Sequence, residues 1–195
     1  VAVDPETELM LRVAAGDDAA FETLVTLMVP RLLGYFRRMG ADRAIAEDCA
    51  QEVLFKVYRA RGGYRAKAKF TTYVFHIARN HWIDIYRHRK SSPPPLSTDA
   101  IRDSSGRSLT GDLEGSGGAP EQEVRAQEIR AGLARALERL PPEQREVFVL
   151  TQVEGLRYQE IGDILQIPVG TVKSRMHAAV RGLRAALLRE GIEPS

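Results

Sequence analysis

Between Ser91 and Glu123 the chain runs SSPPPLSTDAIRDSSGRSLTGDLEGSGGAPEQE, a stretch that no compact domain can absorb. Proline, glycine and serine dominate it, apolar residues are sparse, and six acids outnumber two arginines. Such a composition buries too little apolar surface to offset the entropy lost on ordering the chain. It is also too long for an ordinary connection inside one domain. The expectation is therefore two folded units, 1–90 and 124–195, joined by a flexible acidic linker over 91–123 that is extended near Pro93-Pro94-Pro95. A length of 195 residues has room for two small domains, and a hydrophobic fraction of 44% supplies their cores.

The first unit shows helical periodicity throughout. Asp4 to Ala15 makes a short helix, with Leu9, Leu11 and Val13 apolar and Gly16 as its stop. Asp17 or Asp18 caps a second helix, in which Phe21, Leu24, Val25 and Met28 recur at helical spacing. Pro30 should bend or restart it, while Leu32, Leu33 and Phe36 continue the apolar side and Gly40 ends it. Asp42 opens a third helix, to about Arg59, whose inward face is Ile45, Cys49, Val53 and Val57 beside Ala46, Ala50 and Leu54. Its other side carries Asp48, Gln51, Glu52 and Phe55. A large apolar group among acids fits a docking surface for a basic partner; a Phe tucked beneath a neighbouring element fits the spacing equally well.

From Lys56 to Lys90 ten Lys and Arg accompany a single acid, Asp84, interleaved with Tyr64, Phe70, Tyr73, Phe75, Trp82 and Tyr86. Cations hold phosphates, and aromatic faces stack on unpaired bases. The plainer reading is a solvated helix face whose aromatics belong to the core. Gly62-Gly63 interrupt the preceding helix, and Thr71 or Thr72 starts the next. Val74, Ile77, Ala78 and Ile85 form its inward stripe. Tyr73, His76, Asn80, Asp84 and Arg87 lie along a second face, with Phe75, Arg79, Trp82 and Tyr86 along a third. No Cys or acid cluster stands at ligand spacing from the histidines, so neither metal nor cofactor is expected. Cys49 is the only cysteine, which excludes an internal disulfide and makes a reducing cytoplasm the natural compartment. No long uncharged apolar run or secretory pattern is evident, so no membrane insertion is expected.

In the second unit Val124 to Leu140 is amphipathic, with Ile129, Leu133, Leu137 and Leu140 expected inside. Leu140-Pro141-Pro142-Glu143 ends that helix and starts another, whose core side is Val147, Phe148 and Leu150. A short helix (Tyr158 to Leu165), a tight connection and a longer helix from about Thr171 then make a helix-turn-helix pattern, with Gly162 where two helices must approach closely. Val172, Met176, Val180, Leu183 and Leu187 should face inward. Thr171, Lys173, Ser174, His177 and Arg181 should face outward, as donors suited to base edges and phosphates in a major groove. A purely structural helical hairpin has the same pattern.

Three motifs in order resemble one known family. AEDCAQEVLFKVYRA (Ala46 to Ala60), FTTYVFHIARNHWIDIYR (Phe70 to Arg87) and the run from Leu140 to Leu187 are similar to regions 2.2, 2.3–2.4 and 4 of bacterial sigma factors, in their small extracytoplasmic-function (ECF, group 4) form. The resemblance covers all but the linker. Tyr73 stands where that family usually has Trp, Gly162 where it usually has Ala, and Ala178 at a position that is often Arg. It implies an all-α protein of two small helical domains, a non-catalytic specificity subunit of RNA polymerase, working in the cytoplasm. By resemblance, Asp48, Gln51, Glu52 and Phe55 would bind the β′ clamp helices of core RNA polymerase, whose β subunit is a further partner. The loop Arg61 to Lys69, with Tyr64, Arg65, Lys67 and Lys69, would take a flipped base of the −10 element. Tyr73, His76, Arg79, Asn80 and Arg87 would contact the strand beside it. Thr171, Lys173, Ser174, Arg175 and His177 would read the −35 element, with Arg181 near phosphate, and an anti-sigma factor would be the inhibitory partner. Two other classes compete. A self-sufficient helix-turn-helix regulator would need an N-terminal sensor, and no βαβ alternation appears there. A nucleic-acid-modifying enzyme would need a phosphate loop, metal cluster or nucleophile set that spacing does not offer.

Overall fold

The computed structural model describes residues 4–91 and 120–192, and these are all helix and short connection. Most of the expected linker, 92–119, lies outside the described residues. In chain order the helices are α1 (Pro5–Ala14), α2 (Asp18–Arg38), α3 (Arg43–Arg59), a single 3-10 turn (Arg61–Gly63), α4 (Phe70–Ser91), α5 (Pro120–Glu138), α6 (Pro142–Gln152), α7 (Tyr158–Leu165) and α8 (Val169–Arg189). The three aspartates at the starts work as caps. Asp4 accepts from Thr7 N, Asp17 from Ala20 N and Asp42 from Ile45 N, satisfying backbone donors left over by the first helical turn. Gly16 and Gly40, both at positive φ, close α1 and α2.

α2 is one continuous helix through Pro30, so of the two outcomes that the sequence suggests, a bend or a restart, the restart does not occur. Pro30 removes one backbone donor, but it sits on the exposed side between Met28 and Leu32, which are fully buried. Tertiary packing of that face outweighs the missing hydrogen bond. By length and composition α2 would also pass for a membrane span, the one such helix among the described residues. Here its apolar residues Ala20, Leu24, Met28, Leu32, Tyr35 and Phe36 pack inside a bundle with α1, α3 and α4.

Some inward faces differ from the expected ones. Leu11, Ile129 and Val180 are exposed, and Met10 and Thr7 are buried in α1 instead. Phe75 and Trp82 are buried, so the inward side of α4 is wider than its aliphatic stripe and takes in two aromatics of the supposed third face. Their rings sit 5.5 Å from Tyr35 and 6.0 Å from Phe36 respectively. The plainer reading of the aromatics thus holds for Phe70, Phe75, Trp82 and Tyr64, while Tyr86 is exposed.

Among the described residues, buried side chains form two clusters. The smaller joins α5 to α8 through Ala136, Leu137, Leu140, Leu183 and Leu187. The larger runs from α1–α4 into Val147, Leu150, Ile161, Ile164 and Val172 of α6–α8, so the two halves of the chain share a core. Within the N-terminal half, Thr7 is a link of its own. Its hydroxyl donates to Asp4 Oδ2 (2.7 Å) and accepts from the backbone N–H of Phe70 (2.8 Å), tying the first turn of α1 to the first turn of α4. Thr7→Val leaves that buried N–H unsatisfied at nearly constant volume. It should lower stability by about 1–3 kcal/mol, read as a drop in the urea midpoint, whereas Thr7→Ser, which keeps the hydroxyl, should avoid most of that loss.

Candidate nucleic-acid interface

The candidate residues fall on three separate surfaces. The first is an open groove of about 590 Å³ between α2 and α3, floored by Phe21, Val25, Val29, Leu33 and Leu54 and rimmed by Glu47, Asp48, Gln51 and Phe55. Phe55 is 51% exposed, with the Arg59 guanidinium 5.6 Å from its ring, which removes the tucked-under alternative. Asp48 and Gln51 are exposed, and Glu52 lies 3.7 Å from Lys56 on its own helix. An apolar floor beneath an acidic rim suits a basic amphipathic helix. The α2 half of this groove escaped the sequence reading, because Val25, Val29 and Leu33 have the spacing of core residues.

The second surface surrounds the basic loop. A cleft of about 950 Å³ is lined by Gly62, Gly63, Arg65, Lys67, Thr72, Tyr73 and His76, and also by Asp163 of α7 and Gln166 just after it. Tyr64 reaches it too, but only 6% of Tyr64 is exposed. Its ring packs edge-on against Tyr73 (5.4 Å) and Phe70 (6.4 Å), so it supports the wall more than it forms it. Tyr73, half-buried, offers the accessible aromatic face. Burial pushes the phenols of both tyrosines up from their ordinary range. Arg65 donates to the carbonyl of Tyr64 (2.9 Å), fixing the loop while Lys67 stays exposed. One helical turn apart on α4, His76 Nδ1 and Asn80 Nδ2 stand 3.4 Å from each other. Arg87 is exposed farther along the same helix.

Two cations of this group are engaged by the C-terminal half. Lys69 Nζ lies 2.9 Å from Glu160 of α7, and Arg79 Nε lies 3.7 Å from Glu146 of α6. Glu146 also accepts from the Tyr35 hydroxyl at 2.8 Å, and Glu154 accepts from Arg31 Nε at 2.8 Å. None of these three glutamates is marked by sequence spacing, since their partners are up to 123 residues away.

The third surface is the helix-turn-helix of α7 and α8. Gln166, at φ 54°, turns the chain in the left-handed region, and Ile167 N donates back to the Gly162 carbonyl (3.1 Å). A Cβ on Gly162 would meet the Ile167 carbonyl oxygen at 3.1 Å and Val169 at 3.6 Å, so the turn is folded tightly over this position. That turn sets the first half of α8 on the surface. Lys173, Ser174, His177 and Arg181 are exposed there, with Thr171 and Arg175 half-buried. The Ser174 hydroxyl donates to the Thr171 carbonyl (3.0 Å), which leaves its oxygen as an acceptor. Among the described residues no three His, Cys, Asp or Glu stand together as a metal site.

Comparison with known proteins places these surfaces in context. Residues 24–92 match the family description Sigma-70 region 2, and residues 130–183 match Sigma-70, region 4. The RNA polymerase sigma-H factor of Pseudomonas aeruginosa is 32% identical over 188 residues, spanning 94% of each chain. The ECF RNA polymerase sigma factor SigW of Bacillus subtilis is 32% identical over 176 residues, covering 90% of this chain and 93% of its own. Among solved structures, CnrH in complex with the cytosolic domain of CnrY has the same fold, with a TM-score of 0.68 at 23% identity over 94% of this chain and 97% of CnrH. RpoE of Bartonella quintana, solved with the anti-sigma factor NepR, gives 0.64 at 23% identity over 86% of this chain and 96% of its own.

Burial is the main cause that pushes the carboxyls of Glu146 and Glu154 above the ordinary carboxylate range. A carboxyl whose pKa is raised by folding holds its proton better in the packed state than in the unfolded one. Its contribution is therefore greatest at low pH and is lost as pH rises through the folded value. Glu146→Gln cannot titrate. From neutrality down to just above 4.5, unfolding free energies from urea titrations should rise for the wild type relative to Glu146→Gln. A flat difference across that window would contradict the burial assigned to Glu146.

Proposed function

The chain belongs to the bacterial RNA polymerase sigma factors of the extracytoplasmic-function kind, and on that premise we propose how its surfaces divide the work. It is an alternative sigma factor, directing promoter recognition and transcription initiation. In our reading residues 1–90 form the unit that binds polymerase and melts DNA at the −10 element. Residues 124–195 form the unit that reads the −35 element, and 91–123 tether them. The observation that carries this reading is the cleft at the basic loop, where Arg65 and Lys67 stand beside the half-exposed Tyr73 and His76.

A base leaving the duplex loses pairing and stacking, and an aromatic wall returns about 1–3 kcal/mol per stacked base. Cations at the rim hold the adjoining phosphates. Capture of one or two bases in this way biases melting without covalent chemistry, so the chain acts as a non-catalytic specificity subunit. Tyr73 takes the stacking role here, with Tyr64 behind it as support. His76, Arg79, Asn80 and Arg87 follow the strand along α4, and Lys69 joins them at the loop. Thr171, Lys173, Ser174, Arg175 and His177 contact −35 base edges, with Arg181 near phosphate. The groove with Phe55, Asp48, Gln51 and Glu52 receives the β′ clamp helices of core polymerase. Work on promoter DNA assigns the chain to the cytoplasm. An anti-sigma factor, as in the RpoE–NepR complex, is its inhibitory partner.

Run-off transcription with core polymerase tests the assignment on a library of candidate promoters. Promoter-specific transcripts should appear only when the chain is added. Phe55→Ala should weaken core binding by about 2 kcal/mol, roughly thirtyfold, as expected of a central aromatic anchor. Tyr73→Ala should bind core normally and lose transcripts at the melting step. Transcripts independent of the added chain, or full activity from both variants, would overturn the reading.

A further inference from the structure

Two glycines stand at the mouth of the strand-binding cleft where the backbone itself does not require them. Gly62 and Gly63 lie in the 3-10 turn between α3 and the basic loop, neither has a positive φ, and a Cβ on either would meet nothing within 4 Å. Glycine loses more conformational freedom on ordering than any other residue. Ordering the loop only when a base arrives would therefore offset much of what stacking returns. Beyond the glycines the loop is pinned by the buried Tyr64 ring. Before them stands Arg61, which is half-buried. Its guanidinium carbon lies 3.8 Å from the centre of the Tyr58 ring, and its Nη1 donates to the Tyr58 carbonyl at 3.0 Å. That carbonyl belongs to the last turn of α3, where the helix runs out of its own donors. The Tyr58 ring is fixed from α2 in turn. Phe21 packs against it at 4.7 Å between centroids, and the Tyr58 hydroxyl donates to Asp18 at 3.2 Å.

We propose that Tyr58 and Arg61 are positioning residues: together they latch the entry of the basic loop, so that the cleft is formed before a base reaches it. This inference rests on the reading of that cleft as the base pocket. A flat guanidinium can lie across a ring and donate to a carbonyl at once, whereas a lysine ammonium offers neither the plane nor the fork. With its guanidinium engaged on Tyr58, Arg61 shapes the loop, while the exposed Lys67 is left for phosphate. Two backbone hydrogen bonds in the latched turn report on it. Gly63 N donates to the Ala60 carbonyl (3.0 Å), and Tyr64 N donates to the Arg61 carbonyl (3.1 Å).

Hydrogen exchange on the full chain without DNA reads the latch directly. In Tyr58→Leu and Arg61→Lys the amides of Gly63 and Tyr64 should exchange about tenfold faster than in the wild type, with α2 and α3 protected as before. Tyr58→Phe, which keeps the ring and loses only the hydroxyl, should exchange near the wild-type rate. The functional arm uses holoenzyme, with core polymerase in excess, and a fork probe from a promoter it transcribes, in which the −10 non-template strand is unpaired. Tyr58→Leu and Arg61→Lys should bind that probe about tenfold more weakly, and Tyr58→Phe within about twofold of the wild type. Unchanged exchange at Gly63 and Tyr64 in either variant overturns the latch, and so does wild-type probe binding by Arg61→Lys. A Tyr58→Phe chain as loose as Tyr58→Leu overturns it as well. Faster exchange throughout α2 and α3 has the same force, because Tyr58 would then be ordinary packing. Tyr73→Ala, run beside them, separates the two claims. Weak probe binding by Tyr73→Ala with full binding by the latch variants removes the latch alone; full binding by Tyr73→Ala removes the base pocket on which it rests.

Discussion

Everything else in the structure depends on α2 having more apolar surface than one neighbour can cover. Its line Ala20, Leu24, Met28, Leu32, Tyr35 and Phe36 is buried and builds the bundle with α1, α3 and α4. One residue round, Phe21, Val25, Val29 and Leu33 make a second line that α3 covers only in part, and this remainder is the floor of the acidic groove. The same helix supplies Arg31 and Tyr35 to the glutamates of α6 and the segment following it. Core, docking groove and seam between the halves thus share one element. That is why an apolar helix of 21 residues, continuous through a proline, belongs to a protein whose work is transcription.

The surfaces divide by the chemistry they present. The groove offers apolar area inside an acidic rim, suited to a protein helix. The loop cleft and α8 offer cations, amides and hydroxyls, suited to nucleic acid. Promoter melting needs both together, since a stacking pocket returns little more than unstacking costs unless another body holds the duplex in place. Dependence on core polymerase is therefore a consequence of magnitudes as well as of family membership.

Much of this was legible in the sequence. Aspartate caps, glycine stops and i, i+4 series located the helices, and three motifs in order pointed to the family. What the sequence left open has physical causes. Periodicity tells which residues share a face but not how many neighbours that face meets, so Phe75 and Trp82 passed for surface aromatics and Ile129 and Val180 for core. The Pro30 penalty was legible, but the burial of Met28 and Leu32 that outweighs it was not. Tyr64 had the composition of a base-stacking residue, and only its packing against Phe70 and Tyr73 shows it as a support. The glutamates at the seam carry no local signature, because an ion pair across more than a hundred residues leaves no pattern in spacing.

Permanganate probing of unpaired thymines tests the central claim most directly. On a promoter that the complex transcribes, core polymerase with this chain should expose reactive thymines at the −10 element, and core polymerase alone should not. With Tyr73→Ala the complex should stay bound while that reactivity is lost. Strong −10 reactivity with the Tyr73→Ala chain, or none with the wild type in a complex that remains bound, would contradict the account.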